Sequence, residues 1–275
     1  MASADVAYAA AVLAIYIVLF FPAVYTSSKH GVQGMAWLCW RFFILFCIVR
    51  IIGNALEMAN PGSTAAAIIS SVGLSPLTIA IGGALHEARF YLLSLHRYPD
   101  KRKVDIIFVL LFHLVVAGAI ALLAAGASGL QSATNQADPT KLNTDWHLAG
   151  VGGLILVAVI ALLFLGAVYA YICYKPSNMQ QHLAQRLVVA VAVACPLLAI
   201  RMIGSAAFYF SENLDMNPMT GTWGFKVGLY LIPEVLAACT LLAGGLVTRN
   251  IREREVVREE TVVMGRGMKS SGRGV

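Results

Sequence analysis

Charge is what this sequence has least of. Asp, Glu, Lys and Arg make up 12% of its 275 residues, against roughly 25% in a soluble domain. That scarcity excludes water-soluble globular, disordered, coiled-coil and nucleic-acid-binding classes, whatever the net charge of +6 suggests at first sight. Several chemical signatures are missing as well. There is no CxxC or other metal spacing among the five cysteines, which all lie in apolar stretches and read as buried small hydrophobes. HExxH, a GxSxG elbow, a Walker A loop and a GxGxxG fingerprint in its proper context are absent, as is an aspartate-rich motif for a metal-bound diphosphate. No lysine stands at mid-depth of the last apolar segment, where a retinal Schiff base would need one; Lys226 is at its outer end. No metal and no cofactor is expected.

What is present is apolar length. Hydrophobic residues reach 59%, with a mean hydropathy of +0.76. Seven segments are long enough to cross a bilayer, which takes about 20 apolar residues: 5–26, 37–58, 65–95, 104–127, 147–174, 184–210 and 224–248. The third carries a break at Gly73-Leu74-Ser75-Pro76, which leaves Pro76 to His96 as the crossing portion. None alternates with period two, which argues against a β-barrel. The expected fold is an all-α membrane protein with seven transmembrane helices over residues 1–248 and a basic cytosolic tail over 249–275. The first stretch of the tail, RNIREREVVREETVV, is expected to prolong the last helix briefly.

The loops orient this bundle. Lys29, Arg97, Lys101, Arg102, Lys103, Lys175, Arg186, Arg249, Arg252, Arg254, Arg258, Arg266, Lys269 and Arg273 fall on one side; only Lys141 and Lys226 fall on the other. Positive charge stays inside, so the C-terminus is expected in the cytosol and the N-terminus outside or in the lumen. The sequence does not separate endoplasmic reticulum from plasma membrane, nor does it give an oligomeric state. The partners expected are the lipid bilayer and a lipophilic small-molecule substrate, with no nucleic acid. Trp37, Trp40, Trp146 and Trp223 lie near segment ends and read as an interfacial belt.

Weak internal similarity runs through the chain. Leu19-Phe20-Phe21-Pro22-Ala23-Val24-Tyr25 resembles Leu163-Phe164-Leu165-Gly166-Ala167-Val168-Tyr169. Arg50-Ile51-Ile52-Gly53-Asn54-Ala55 resembles Arg201-Met202-Ile203-Gly204-Ser205-Ala206, and Pro76 corresponds to Pro233. The order is kept across all three matches, which suggests two parallel triplets joined by the fourth helix, a 3+1+3 repeat.

Ionisable residues inside such segments are costly and mark candidate sites. Arg50, Asn54 and Glu57 share one face of the second helix. Arg50 stands roughly 18 Å from the cytosolic edge at 1.5 Å per residue. His86 and Glu87 are about 15 Å deep in the third helix, and Tyr91 shares the face of Glu87. Arg201 is the repeat-mate of Arg50. Glu234 follows Pro233 near mid-depth of the seventh helix, with Tyr230 one turn above it. Each arginine is expected to find a carboxylate or several carbonyls, and Glu87 is read either as an ion-pair partner of Arg50 or Arg201 or as a neutral acid in a dry pocket. His113, alone in the fourth helix, reads as a packed, hydrogen-bonded residue.

The stretch from Arg50 to Glu57, the Gly73-Leu74-Ser75-Pro76-Leu77 break and the apolar seventh helix with Glu234 resemble a group of fungal seven-helix integral membrane proteins of mostly unassigned function. Size, helix number and buried acids are also similar to fungal membrane-bound terpene cyclases of meroterpenoid secondary metabolism. That second likeness implies a metal-independent, acid-initiated cyclisation of an epoxidised prenylated substrate, and no catalytic residue is carried over from it. Under this reading Glu87, Glu234 and His86 are the catalytic candidates. Arg50, Asn54, Glu57, Tyr91, Arg201 and Tyr230 line the substrate, and Phe90, Phe208 and Tyr209 join the tyrosines in shielding a cation. The alternative is a seven-helix carrier or receptor binding a small solute at the midplane between the two triplets, where paired arginines favour an anionic group.

Overall fold

A computed structural model describes residues 2–31, 36–61, 63, 65–66, 68–69, 73–93, 99–130, 138–211, 213–218, 221–249 and 251. Those residues form seven long helices: α1 (Ala2–His30), α2 (Ala36–Ala59), α3 (Leu74–Leu92), α4 (Pro99–Leu130), α5 (Pro139–Cys173), α6 (Met179–Ser211) and α7 (Ile232–Thr248). A short 3₁₀ turn, Leu214–Met216, follows α6, and a π-helical segment, Phe225–Leu231, runs directly into α7. Each of the seven segments expected from the sequence overlaps one of these helices, and six helices are long and apolar enough to cross a membrane.

The exception is α3. It packs against α2, α4, α5 and α6 while α7 closes back on α1. Of its 19 residues, 17 are buried, all but Gly82 and Arg89. A helix wrapped by its neighbours can carry Ser75, Thr78, His86 and Glu87 without presenting them to lipid. The other helices show the opposite pattern, with Val18, Phe21, Phe108, Leu162 and Ile172 each more than two-thirds exposed. An apolar surface of that extent marks a face meant for lipid.

Helix ends depart from the apolar boundaries wherever capping chemistry overrides hydropathy. The first helix runs four residues past its expected end. Thr26 Oγ1 bonds the Pro22 carbonyl at 2.8 Å and Ser28 Oγ bonds that of Tyr25 at 2.7 Å, so these polar residues sit within the helix without breaking it. Gly31, at φ 70°, supplies the left-handed residue that stops it just after His30. The fifth helix starts eight residues before its apolar stretch: Asp138 caps it by accepting from the Thr140 amide at 3.1 Å, and Pro139 occupies the first turn. In α3 the break falls as expected at Gly73, but the helix ends at Leu92 and not His96. The expected tail helix, at 252–263, lies outside the described residues.

Two expectations about side chains are corrected. Trp40 is fully buried and is no belt residue, because a carboxylate inside the bundle takes its N–H, as described below. Cys173 and Cys239 are exposed, whereas Cys39, Cys47 and Cys195 are buried.

A cavity at one end and a clamp at the other

The buried polar groups gather into two clusters. Glu234 is the centre of the first. Its Oε2 accepts from Arg50 Nη2 and, at 3.4 Å, from Arg201 Nε. Its Oε1 accepts from the Tyr16 phenol at 2.5 Å. Arg201 also donates Nη1–H to Ser205 Oγ and lies over the Tyr230 ring, 4.4 Å from its centroid. All of these side chains are at most 8% exposed. The two arginines expected to need a carboxylate share Glu234, on α7.

Above this cluster opens a cavity of about 60 Å³. Its walls are Asp5, Tyr8, Ala9 and Val12 of α1; Arg50, Gly53, Asn54 and Glu57 of α2; Arg201 of α6; and Pro218, Lys226, Tyr230, Leu231 and Glu234 before and on α7. Lys226 Nζ meets Asp5 Oδ1 at 2.8 Å across the rim, and the Tyr8 hydroxyl reaches the Lys226 carbonyl at 3.4 Å. Asn54 bonds its own helix, at the Arg50 carbonyl, 2.7 Å away.

Pro233 explains how Lys226 and Tyr230 come to line it. Proline has no N–H, so the carbonyl four residues earlier loses its helical partner. The chain answers with i→i+5 bonding: the Ile232 amide bonds the Val227 carbonyl. A π turn re-aims the side chains it carries and often accompanies a site. The Tyr230 hydroxyl is then held by the carbonyls of Met216, at 2.5 Å, and Gly204, at 3.2 Å.

The second cluster lies at the other end of α1. His30 Nδ1 meets Glu87 Oε1 at 2.6 Å, and His30 Nε2 meets the Gly245 carbonyl at 2.9 Å. Trp40 Nε1–H donates to Glu87 Oε2 at 3.1 Å and its ring stacks at 4.7 Å on the imidazole. His30, Trp40 and Glu87 are all fully buried. Close approach is permitted by glycine. A Cβ on Gly83 would stand 2.9 Å from the Cys39 backbone, and one on Gly245 would stand 2.0 Å from the Trp40 ring. Between the two clusters the bundle is packed with Phe43, Phe46, Ala237, Ala238 and Leu241, none of them accessible.

Of the sequence candidates, Arg50, Asn54, Glu57, Arg201, Tyr230 and Glu234 therefore line one cavity. Glu87 does not: it pairs with His30 and not with either arginine. His86 and Tyr91 are buried in α3 and lie outside this cavity, as do Phe90, Phe208 and Tyr209, the last two packed on Trp146. His113 bonds the Val109 carbonyl at 2.6 Å, as a packed histidine should. Among the described residues no group of His, Cys, Asp and Glu is arranged to hold a metal ion.

Asp5, Tyr8, Tyr16, His30, Trp40 and Lys226 complete the two clusters and were not singled out as site residues by sequence reasoning. A signal for the α1 members exists: Val12, Tyr16, Ala23, Thr26 and His30 form one buried stripe at helical spacing that continues through the polar end of α1. No curated protein and no solved structure matches the chain. The family described as Domain of unknown function (DUF7702) matches residues 5–251, and the chain belongs to that family.

Proposed function

We propose that the protein is a seven-span membrane protein that binds a small anionic solute in the cavity above Glu234, in the manner of a carrier or receptor. The observation that carries this reading is Arg201. Its guanidinium is buried at the cavity wall, yet among the described residues its one carboxylate contact is 3.4 Å long, to an oxygen already held by Arg50. A carboxylate or similar anion would give Arg201 a charge-assisted partner of its own. A cavity of about 60 Å³ admits an anion of a few heavy atoms.

The acid-initiated cyclase reading has less support. Its acid must be neutral and must face the substrate, but Glu234 is shared by two guanidinium groups and Glu87 is sealed behind His30 and Trp40. A prenylated aromatic also needs a chamber closer to the roughly 300–1,000 Å³ of pockets for drug-sized ligands.

The neighbour relations support a 3+1+3 repeat. Helices α1, α2 and α3 pack in succession as α5, α6 and α7 do, and α1 touches α7 as α5 touches α3. The site itself breaks that symmetry, since the counterpart of Glu234 in the first triplet is Leu77. The distribution of basic residues supports an outer or lumenal N-terminus, which opens the cavity on that side. The test is thermal unfolding of purified protein in detergent with acetate, succinate and inorganic phosphate. One of them is expected to raise the Tm of the wild type and to leave Arg201→Gln unmoved. Equal shifts in both proteins, or none in either, would overturn the reading.

A further inference from the structure

In the clamp at the inner end, the places of the hydrogens follow from donor and acceptor counting. The Gly245 carbonyl only accepts, so His30 Nε2 must carry a hydrogen to meet it at 2.9 Å. Glu87 Oε2 is the acceptor for Trp40 Nε1–H. What remains is the 2.6 Å contact between Nδ1 and Oε1. Two facing lone pairs repel at that distance, so a proton lies between them. It is written either as imidazolium donating to carboxylate or as carboxylic acid donating to neutral imidazole. In both forms the pair holds one proton beyond the one on Nε2 and is uncharged overall.

We infer that His30 and Glu87 form a one-proton binding site, and that release of this proton opens the inner end of the bundle. Without it a carboxylate and a neutral imidazole would face each other lone pair to lone pair. The surroundings offer that charge little help. From α2 the pair meets the Trp40 indole, next to the buried Cys39. From α7 it meets the Gly245 carbonyl and, next to it, the Thr248 hydroxyl, which bonds the carbonyls of Gly244 and Gly245. Among the described residues no lysine or arginine forms an ion pair with Glu87. A buried anion without a countercharge is not retained, so the imidazole and carboxylate part. The proton passes to water at that end of the bundle, and the inner junction of α1 with α3 and α7 comes apart. The cavity cluster is about 21 Å away along α1, from Tyr16 to His30. The inference does not rest on the anion reading: Arg201→Gln removes anion binding and leaves this step intact.

The test compares wild type with Glu87→Gln, whose amide N–H bonds Nδ1 without a titratable proton. Both are purified in the same detergent, in a Cys173→Ser/Cys239→Ser background, and checked for folding by elution volume. Potentiometric titration from about pH 5 to about pH 10, a window spanning ordinary carboxylate and imidazole values, is expected to show one more proton released by the wild type. Over the same range alkylation of Cys39, read by peptide mass spectrometry, should rise at least about tenfold more in the wild type than in the variant, an opening free-energy change of about 1.4 kcal/mol. Superimposable titration curves, or equal alkylation ratios, would overturn the inference. Should Glu87→Gln not fold, His30→Leu/Glu87→Leu replaces it as the proton-free reference and the same two readouts decide.

Discussion

Tyr16 of α1 donates its phenol to Glu234 of α7 at 2.5 Å, and this bond is the middle of three polar stitches along one seam. Asp5 with Lys226 lies above it and His30 with the Gly245 carbonyl lies below. Helix α1 runs parallel to the π segment and α7, and polar contacts join them at three heights. A seam held by a few directional bonds can be released by changing protonation or ligand state at any one of them, which interdigitated side chains do not allow.

The shared carboxylate predicts an asymmetry between its partners. Glu234→Gln leaves two guanidinium groups around a neutral amide and should cost about 3–5 kcal/mol, the range for breaking a buried pair. Arg201→Gln leaves the Arg50–Glu234 pair in place and should change stability by no more than about 1 kcal/mol. Unfolding of the two variants in the same detergent measures the difference; equal losses would contradict the arrangement.

Gly245 is predicted to tolerate no side chain. A methyl group there would stand 2.0 Å from Trp40 Cη2, and that indole is fixed by Glu87 and by stacking on His30. Gly245→Ala should therefore destabilise by about 1–3 kcal/mol, as overpacking does. Trp40→Phe should relieve the clash in the double variant while losing the indole hydrogen bond. A melting curve of Gly245→Ala that overlays the wild type would count against the packing described.

Pro233 sets the π segment, so Pro233→Ala offers the Leu229 carbonyl an ordinary helical partner. The segment is then expected to rewind, turning Lys226 away from Asp5 and Tyr230 away from Met216. The fold should persist, with helix content by circular dichroism unchanged, while anion-dependent protection weakens about tenfold or more in concentration, equivalent to about 1.4 kcal/mol. Undiminished protection would show that the π turn does not shape the site.

At the start of α5, the Thr140 hydroxyl and then the Thr140 amide hold the Asp138 carboxyl below the usual carboxylate range. A lowered value in the folded chain means that the cap is complete at neutral pH and is lost as pH falls through it. Hydrogen exchange at the Thr140 amide should quicken, relative to neighbouring amides, only on acidification, and Asp138→Asn should flatten that dependence.

How far these features could be read from the sequence depended on whether their cause was local. Apolar length gave seven helices, and a buried arginine's need for a countercharge led to Arg50, Arg201 and Glu234. Which acid pairs with which base was not legible, because it depends on how α1 packs against α7. His30 was hidden by its setting: TSSKHG has the composition of a loop, yet hydroxyls bonded to carbonyls one turn back keep it helical. Trp40 was misplaced for a related reason. Its position near the start of α2 matches an interfacial residue, and only the approach of Glu87 on α3 draws the indole inward.

The enclosure of α3 has a bearing on how the chain is made. A segment with almost no surface for lipid, and with Glu87 and His86 along its length, gains little from entering a bilayer by itself. Its Glu87 carboxylate is satisfied only once α1 and α2 stand around it. Biogenesis is thus expected to leave α3 loosely placed until α6, which packs along it, emerges, so that chains truncated before α6 should expose Glu87 to quality control. A segment synthesised later would then fix a helix made much earlier.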